Sequence, residues 1–529
     1  MRSSPIQIFL LFIIPFFLKA QDKTYDFLFY NGKIIDGTGN SWYYGDLAVK
    51  DGKIAAIGKL LPSQAKKAID VKGRIIAPGF IDVHTHIEGD EVKSPEAANF
   101  IYDGVTTVIT GNCGSSNLPV SEYLHMLDSL QLSVNVATLV GHGSIREMVM
   151  GRTIQQPSKD KLDEMVHLVE AAMQEGAFGL STGLIYVPGT YAQTDEIIQL
   201  AAVANRFGGL YVSHIRDEAD SVVQAVEEAI QIGRVNQMPI QISHYKISGQ
   251  NNWGRSAETL PLLERARKEG IDVTIDQYPY TASSTVLNTL LPDKLLADGK
   301  DSLTERLKNP IIREHTIQFL LTRLKKRKLR HFSYTVIANY PADTTLNGLS
   351  IEHANLKLGR KHTAVQEAET ILDMVGKGGA AMIFHGMSEQ DVQAIMKYPF
   401  NMIASDATIR IPGLGHPHPR GYGTNARVLS KYVREEKIIS IEEAVRRMTS
   451  LPAQKFRLIN RGLLLPGMFA DLVVFDSGKI KDRSSFEQPH QYSEGMEYVL
   501  VNGKLVVDQG RHTGIRSGMV LYGPGYLKK

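Results

Sequence analysis

The chain has 529 residues, 43% of them hydrophobic and 22% charged, an ordinary globular composition with length for one large domain and a smaller one. A net charge of +3 is too slight an excess to signal nucleic acid or an anionic membrane as partner. One cysteine, Cys113, excludes an internal disulfide.

At the N-terminus, Arg2 and the apolar run from Ile6 to Leu18, followed by Ala20, read as a signal peptide over residues 1–20. The run is too short for an ordinary spanning helix. The expected destination is periplasmic or extracellular, without a stable membrane partner. A lone thiol in an oxidising compartment then calls for protection, by burial or as a metal ligand. Asn31-Gly32, Asp51-Gly52 and Asn502-Gly503 each lie between β-branched or alternating runs, where they signal hairpins. Residues 21–77 and 463–529 therefore read as two parts of one small β-sandwich domain, built from both ends of the chain.

Between them the rhythm changes. A helix is predicted from Lys159 to Gln174, with Met165, Leu168, Val169 and Ala172 on one stripe, followed by a strand at AFGLSTG. Strand-like GLYVSH ends at His214, and a helix from Ser221 to Gly233 follows, with Ser221 and Gln224 fitting a capping box. PIQISH ends at His244, a helix begins at Ser256, and IDVTID ends at Asp276. These strand ends recur about every thirty residues, the length of a βα unit. Repeated units over residues 78–462 predict a (β/α)8 TIM-like barrel. The competing doubly wound sheet lacks a Gly-rich fingerprint after its first strand. Residues of about 291–350 break the rhythm and read as an insertion over the barrel. Its helical stretch carries Ile317, Leu320, Leu321 and Leu324 on one face. The basic run Arg323, Lys325, Lys326, Arg327, Lys328 and Arg330 has no interleaved aromatics, so it reads as a solvated helix face and not as a nucleic-acid site.

This architecture keeps its chemistry at the carboxyl ends of the strands. PGFIDVHTH places His84 and His86 two apart, aimed to one side by strand alternation. GVTTVITGNCG ends a β-branched run with Cys113, His214 and His244 end successive units, and MIASD ends on Asp406. Alone, each is as readily a core or surface residue. Their shared position, unit after unit, points to a metal, and imidazole with thiolate is zinc's preferred company. His142 in LVGHGS sits at another strand end, as a candidate support for the ligands.

In this order and spacing, PGFIDVHTH, GNCG, LSTGLIYVPGTYA, SHIRDE, SHYKISG, DQYPYTA, ASD, HPRGYGT and VNGKLVV resemble the successive motifs of the D-aminoacylase (N-acyl-D-amino-acid deacylase) family of the amidohydrolase superfamily. The resemblance runs from about Tyr25 to Leu521 and implies the same barrel, β domain and insertion. It implies a tight zinc on Cys113, His214 and His244. A second, weaker metal site would involve His84, His86 and Asp406. Many superfamily members bridge two metals with a carbamylated lysine on the fourth strand; here that strand holds Ser181 and Thr182, which points away from hydantoinase- and dihydroorotase-type sites.

The implied reaction is hydrolysis of the acyl amide of an N-acyl-D-amino acid, a small-molecule substrate, with Asp406 as general base. D-stereochemistry comes only from the resemblance. Lys246, Tyr278 and Arg420 are the candidates for the substrate carboxylate. Tyr280 competes with Tyr278, and HPHP before Arg420 suggests a small local insertion. Asn425 stands where the family has phenylalanine, and Ala404 and Ala407 where it has glycines, which bears on substrate range. Two alternatives stay open: a zinc amidase or dipeptidase for cyclic amides or D-residue peptides, and a metal-retaining binding protein without turnover. Oligomeric state is not legible.

Overall fold

The computed structural model describes residues 24–528; the leader expected over residues 1–20 lies outside them. Eight parallel strands form the centre: β1 (Phe80–Asp82), β2 (Val105–Thr110), β3 (Asn135–Thr138, resuming at Val140–Gly141), β4 (Gly179–Gly183), β5 (Leu210–His214), β6 (Ile240–Ile242), β7 (Val273–Gln277) and β8 (Asn401–Ile403). β2, β4, β5 and β7 are buried along their whole length, as strands covered on both faces must be. Each pairs in parallel with the next. The ring closes just beyond β8 and β1, where Thr85 bridges Ala407 in parallel and the Asp406 and His86 amides donate to the His84 and Ala407 carbonyls, both at 2.9 Å. Ile81, Ile109, Ala137, Val212 and Met402, drawn from around the ring, form one buried cluster. This is a closed (β/α)8 barrel.

The outer helices follow the predicted periods. The helix Lys159–Glu175 is capped by Ser158, whose side chain accepts from the Lys161 amide at 3.3 Å. The helix Val222–Asn236 starts where expected, but Ser221 makes no side-chain cap. Asp217 instead fixes the loop that enters the helix: its carboxylate accepts from the amides of Ala219 at 2.7 Å and Ser221 at 3.0 Å.

Both chain ends build one continuous nine-stranded sheet. It contains Tyr25–Ile34, Tyr43–Lys50 and Ile75–Pro78 from the N-terminal side, and Leu472–Phe475, Met496–Val501 and Lys504–Asp508 from the C-terminal side. Phe29, Ile34, Val49, Leu472, Val474 and Leu500 share one core, so the sheet curls around its own apolar face. The Asp51-Gly52 and Asn502-Gly503 turns carry positive φ at both residues and join antiparallel neighbours, as hairpins require. Asn31-Gly32 makes no hairpin: it lies inside the strand Tyr25–Ile34, where Asn31 at φ 59° marks a bulge that shifts the register between Phe29 and Gly32.

The insertion is longer than the sequence rhythm suggested. It runs from a strand at Ala282–Val286 to its antiparallel partner at Ala381–His385, with Thr335–Asn339 on the far edge. Between them lie the helices Gly299–Lys308, Pro310–Lys326, Ile351–Lys357 and Ala364–Gly376. Ile317, Leu320 and Leu324 face inward as predicted, into a core separate from the barrel's that includes Phe332, Ile371 and Met382. Pairing of strands about a hundred residues apart extends the unit past residue 350, a long-range contact that local periodicity does not report. Leu320→Ala should cost about 2–5 kcal/mol through the cavity it leaves. Limited proteolysis on a temperature ramp should then cut residues 299–376 well before the barrel strands. Cleavage spread evenly over both units would show a single cooperative core instead.

Candidate metal centre

All six predicted ligands converge at the carboxyl mouth of the barrel. His214 is the last residue of β5; the others sit two to four residues past their strands. Cys113, His244 and Asp406 hold positive φ of 52°, 34° and 50°. A side chain in that region costs on the order of 1 kcal/mol. Each of these kinks turns the chain off the strand and swings the side chain over the ring. The strand ends at Ile242, and Lys246 reaches the centre from the loop that follows. His84 and His86 likewise lie beyond β1, their ring centroids 5.3 Å apart.

Cys113 Sγ lies 3.3 Å from His84 Nε2, 3.6 Å from His214 Nδ1 and 3.6 Å from His244 Nε2. Asp406 Oδ1 lies 3.3 Å from His86 Nε2 and 3.7 Å from His84 Nε2. Zinc–sulfur and zinc–nitrogen bonds of about 2.3 and 2.0 Å in a tetrahedron set donor-to-donor edges of about 3.5 Å. The two edges from Cys113 to His214 and His244 have that length, and the three donor atoms lie within 4.8 Å of one another. His214 Nε2 is buried without a hydrogen-bond partner. Burial above all, with the Lys246 ammonium adding to it, holds His214 and His244 well below the usual imidazole range, so both are neutral and available as ligands. Burial pushes the Cys113 thiol up, so a thiolate there needs a cation beside it. The donor set fits zinc, and the His84–His86–Asp406 side fits a second ion.

The β4 strand shows why no lysine is needed. Ser181 donates to the Gly111 carbonyl at 2.5 Å and accepts from the Gly114 amide at 3.1 Å, pinning the cysteine loop from both sides. A Cβ on Gly183 would stand 2.1 Å from the Cys113 carbonyl oxygen. The thiol loop occupies the room above β4.

Three carboxylates that sequence reasoning passed over orient the ligands. Glu218 Oε1 lies 3.0 Å from His244 Nδ1 and 3.7 Å from His214 Nε2, and it accepts from Lys246 Nζ at 2.5 Å. Asp276 accepts from the His244 amide at 2.7 Å and lies 3.4 Å from His84 Nδ1. Asp82 accepts from the His84 and Ser405 amides, each at 3.1 Å, and burial pushes its carboxyl up to about 6. All three stand inside the motifs FIDVHTH, SHIRDE and DQYPY, and carboxylates beside metal-binding histidines were the available signal. His142 is not part of this tier: its Nε2 contacts Glu196 at 2.8 Å, within a buried cluster with Arg146.

Burial opposes ionisation of Asp406, but Arg420, His84 and His86 outweigh it and hold the carboxyl well below its usual range. Burial similarly opposes a charged His86, whose hydrogen bonds to Asp406 and Cys113 raise it to about 9. Arg420 lies 2.9 Å from Asp406 Oδ2 and stacks over Tyr278, 4.4 Å from the ring centroid. The Tyr278 hydroxyl is buried without a partner. The neighbouring cavity is lined by His214, His244, Lys246, Tyr278, Arg323 and Arg327. The last two correct the expectation of a wholly solvated basic face. Arg323 donates to the Thr289 and Leu290 carbonyls at 2.9 and 3.0 Å, while Lys325, Lys326, Lys328 and Arg330 are exposed.

Known proteins share this arrangement. The model of the Amidohydrolase family matches residues 67–507. D-aminoacylase of Alcaligenes xylosoxydans xylosoxydans is 35% identical over 95% of this chain and 99% of its own. N-acyl-D-aspartate deacylase of the same organism is 36% identical over 94% of this chain and 95% of its own. A crystal structure of N-acyl-D-glutamate deacylase from Bordetella bronchiseptica, complexed with zinc and a phosphonate inhibitor, is 36% identical, covers 94% of this chain and 100% of its own, and superposes with a TM-score of 0.80. D-hydantoinase, at 16% identity and a TM-score of 0.57, shares the fold. The chain belongs to the amidohydrolase family, with D-aminoacylase and the N-acyl-D-amino-acid deacylases among its relatives.

Proposed function

We propose that this protein is a zinc-dependent hydrolase that cleaves the acyl amide of N-acyl-D-amino acids, releasing a carboxylate and a free D-amino acid. The observation that carries the reading is the Cys113–His214–His244 face, with Asp406 and an arginine directly beside it. Cys113, His214 and His244 would hold the tight ion, and His84, His86 and Asp406 a weaker one. Zinc bound there supplies Lewis-acid polarisation of the amide carbonyl and a water acidic enough to attack near neutral pH. Asp406 accepts the proton of the attacking water and returns it to the departing amine.

The substrate carboxylate needs a cation, and Arg420 is the one beside the reaction centre. Arg420 rests on Asp406 in the structure, so an arriving carboxylate competes for the same guanidinium. Drawing it away leaves Asp406 more basic, which ties proton abstraction to the presence of a substrate with a free acid. Tyr278 offers its unpartnered hydroxyl to the same group. Lys246 is held by Glu218, from which it can orient either the substrate or His244. The export read from Arg2 and the run from Ile6 to Leu18 belongs to the same proposal: a periplasmic or extracellular enzyme.

Arg323 and Arg327 favour a narrower reading, in which the cavity takes an acidic substrate side chain. Two relatives are named for N-acyl-D-aspartate and N-acyl-D-glutamate.

Asp406→Asn should fold and keep the tight zinc yet lose turnover, because an amide cannot accept and return the proton. Full rescue by excess zinc would reduce Asp406 to a metal ligand. Arg420→Ala should raise KM for N-acyl-D-amino acids by roughly ten- to a hundredfold, the loss of a charge-assisted pair, and much less for the corresponding amides. Equal losses would remove Arg420 from carboxylate recognition. Arg327→Ala should lower kcat/KM for N-acetyl-D-glutamate far more than for N-acetyl-D-leucine; parallel changes would exclude an acidic subsite.

A further inference from the structure

A second group of metal-seeking side chains lies inside the insertion, and none of it lines the cavity at the barrel mouth. His331 precedes the strand Thr335–Asn339. Glu352 is in the first turn of the helix Ile351–Lys357, His362 lies in the loop that follows, and Glu367 is in the first turn of the helix Ala364–Gly376. One donor atom from each lies within 4.8 Å of all the others. His331 Nδ1 is 2.5 Å from Glu367 Oε1 and 3.9 Å from Glu352 Oε1, and His362 Nε2 is 2.6 Å from Glu352 Oε1. The two imidazole rings stack face to face, with centroids 4.2 Å apart and planes 24° from parallel.

The Glu367 side chain is fully buried, at 0% exposure. Among the described residues no lysine or arginine pairs with it or with Glu352; their ionic partners are these two histidines. A buried carboxylate must be compensated. Compensation by protonated histidines would stack two cations face to face, whereas a divalent ion neutralises both carboxylates and leaves both imidazoles neutral. We propose that His331, Glu352, His362 and Glu367 form a structural site for a zinc-class divalent ion, separate from the catalytic centre. Two imidazole nitrogens and two carboxylate oxygens make a four-donor set suited to that ion. The 2.5 and 2.6 Å contacts need to open by under about 1 Å to reach tetrahedral edges. Phe332 N–H, donating to Glu367 Oε2 at 2.7 Å, already fixes that carboxylate's orientation.

Such an ion staples three segments that already share the insertion's core and the Thr370–Asn355 hydrogen bond. The helix Ala364–Gly376 also carries Glu369 and Asp373, which pair with Arg313 of the helix Pro310–Lys326. That second helix carries Arg323 to the cavity wall. The site thus braces the wall of the substrate cavity from outside.

The test uses the full-length protein, dialysed to equilibrium against buffered micromolar zinc and assayed for bound metal. Wild type should hold one equivalent more than His362→Ala, whose side chain is half exposed and whose loss should not prevent folding. Cys113→Ala should retain the extra equivalent, and the combined variant should lose it. Added zinc should delay proteolysis within 299–376 in wild type and in Cys113→Ala, but not in His362→Ala. Glu352→Gln serves as a second variant with the same expected loss. Equal zinc content in wild type, His362→Ala and Glu352→Gln overturns the proposal, as does protection that survives both substitutions. The reading of the catalytic centre stands or falls separately, on whether Cys113→Ala loses its own equivalent and its turnover.

Discussion

The barrel mouth is organised around one constraint: a thiol, four imidazoles and a carboxylate packed as three overlapping groups of metal-seeking side chains, most of them buried. In the absence of a cation this is an expensive arrangement. Three ring nitrogens, His84 Nε2, His214 Nδ1 and His244 Nε2, face one sulfur. The left-handed backbone at Cys113, His244 and Asp406 adds a further cost at the same place. A fold that accepts both costs at one point is arranged for what binds there.

Much of the surrounding structure holds that geometry. Asp82 ties the His84 turn to the Ser405 turn across the seam where the barrel closes. Asp276 does the same between β7 and the His244 loop, and Glu218 gathers His244, His214 and Lys246. Ser181 takes the position above β4 and uses its one hydroxyl both as donor and as acceptor to fix the cysteine loop. The Cys113 loop is thus supported by the strand directly beneath it.

The insertion adds a second body with its own core, and its contribution to the site is electrostatic. The helix Pro310–Lys326 buries Ile317, Leu320 and Leu324. Its C-terminal end then brings Arg323, and just beyond it Arg327, to the cavity. A chain rich in barrel loops can vary this wall without disturbing the ligands on the strands, which separates substrate choice from metal chemistry.

The sequence by itself determined the alternation of strands and helices, the sharing of one sheet by both chain ends and the six residues that meet at the barrel mouth. Those depend on local patterns: strand-to-helix period, Asn-Gly turns, and polar residues recurring at strand ends. It also carried the inward face of the insertion helix, because helical spacing alone selects Ile317, Leu320 and Leu324. Tertiary structure decided what depends on distant pairs. The insertion reaches to His385 because its closing strand pairs with one about a hundred residues earlier. Asp82, Asp276 and Glu218 acquire their roles only when loops from different strands meet. Arg323 leaves the basic run for the cavity because Thr289 and Leu290, more than thirty residues back, present carbonyls to it. Arg420 reaches Asp406 from fourteen residues further along, by a loop path that sequence spacing does not encode. Periodicity specifies which face of an element is buried, and only packing specifies what that face meets.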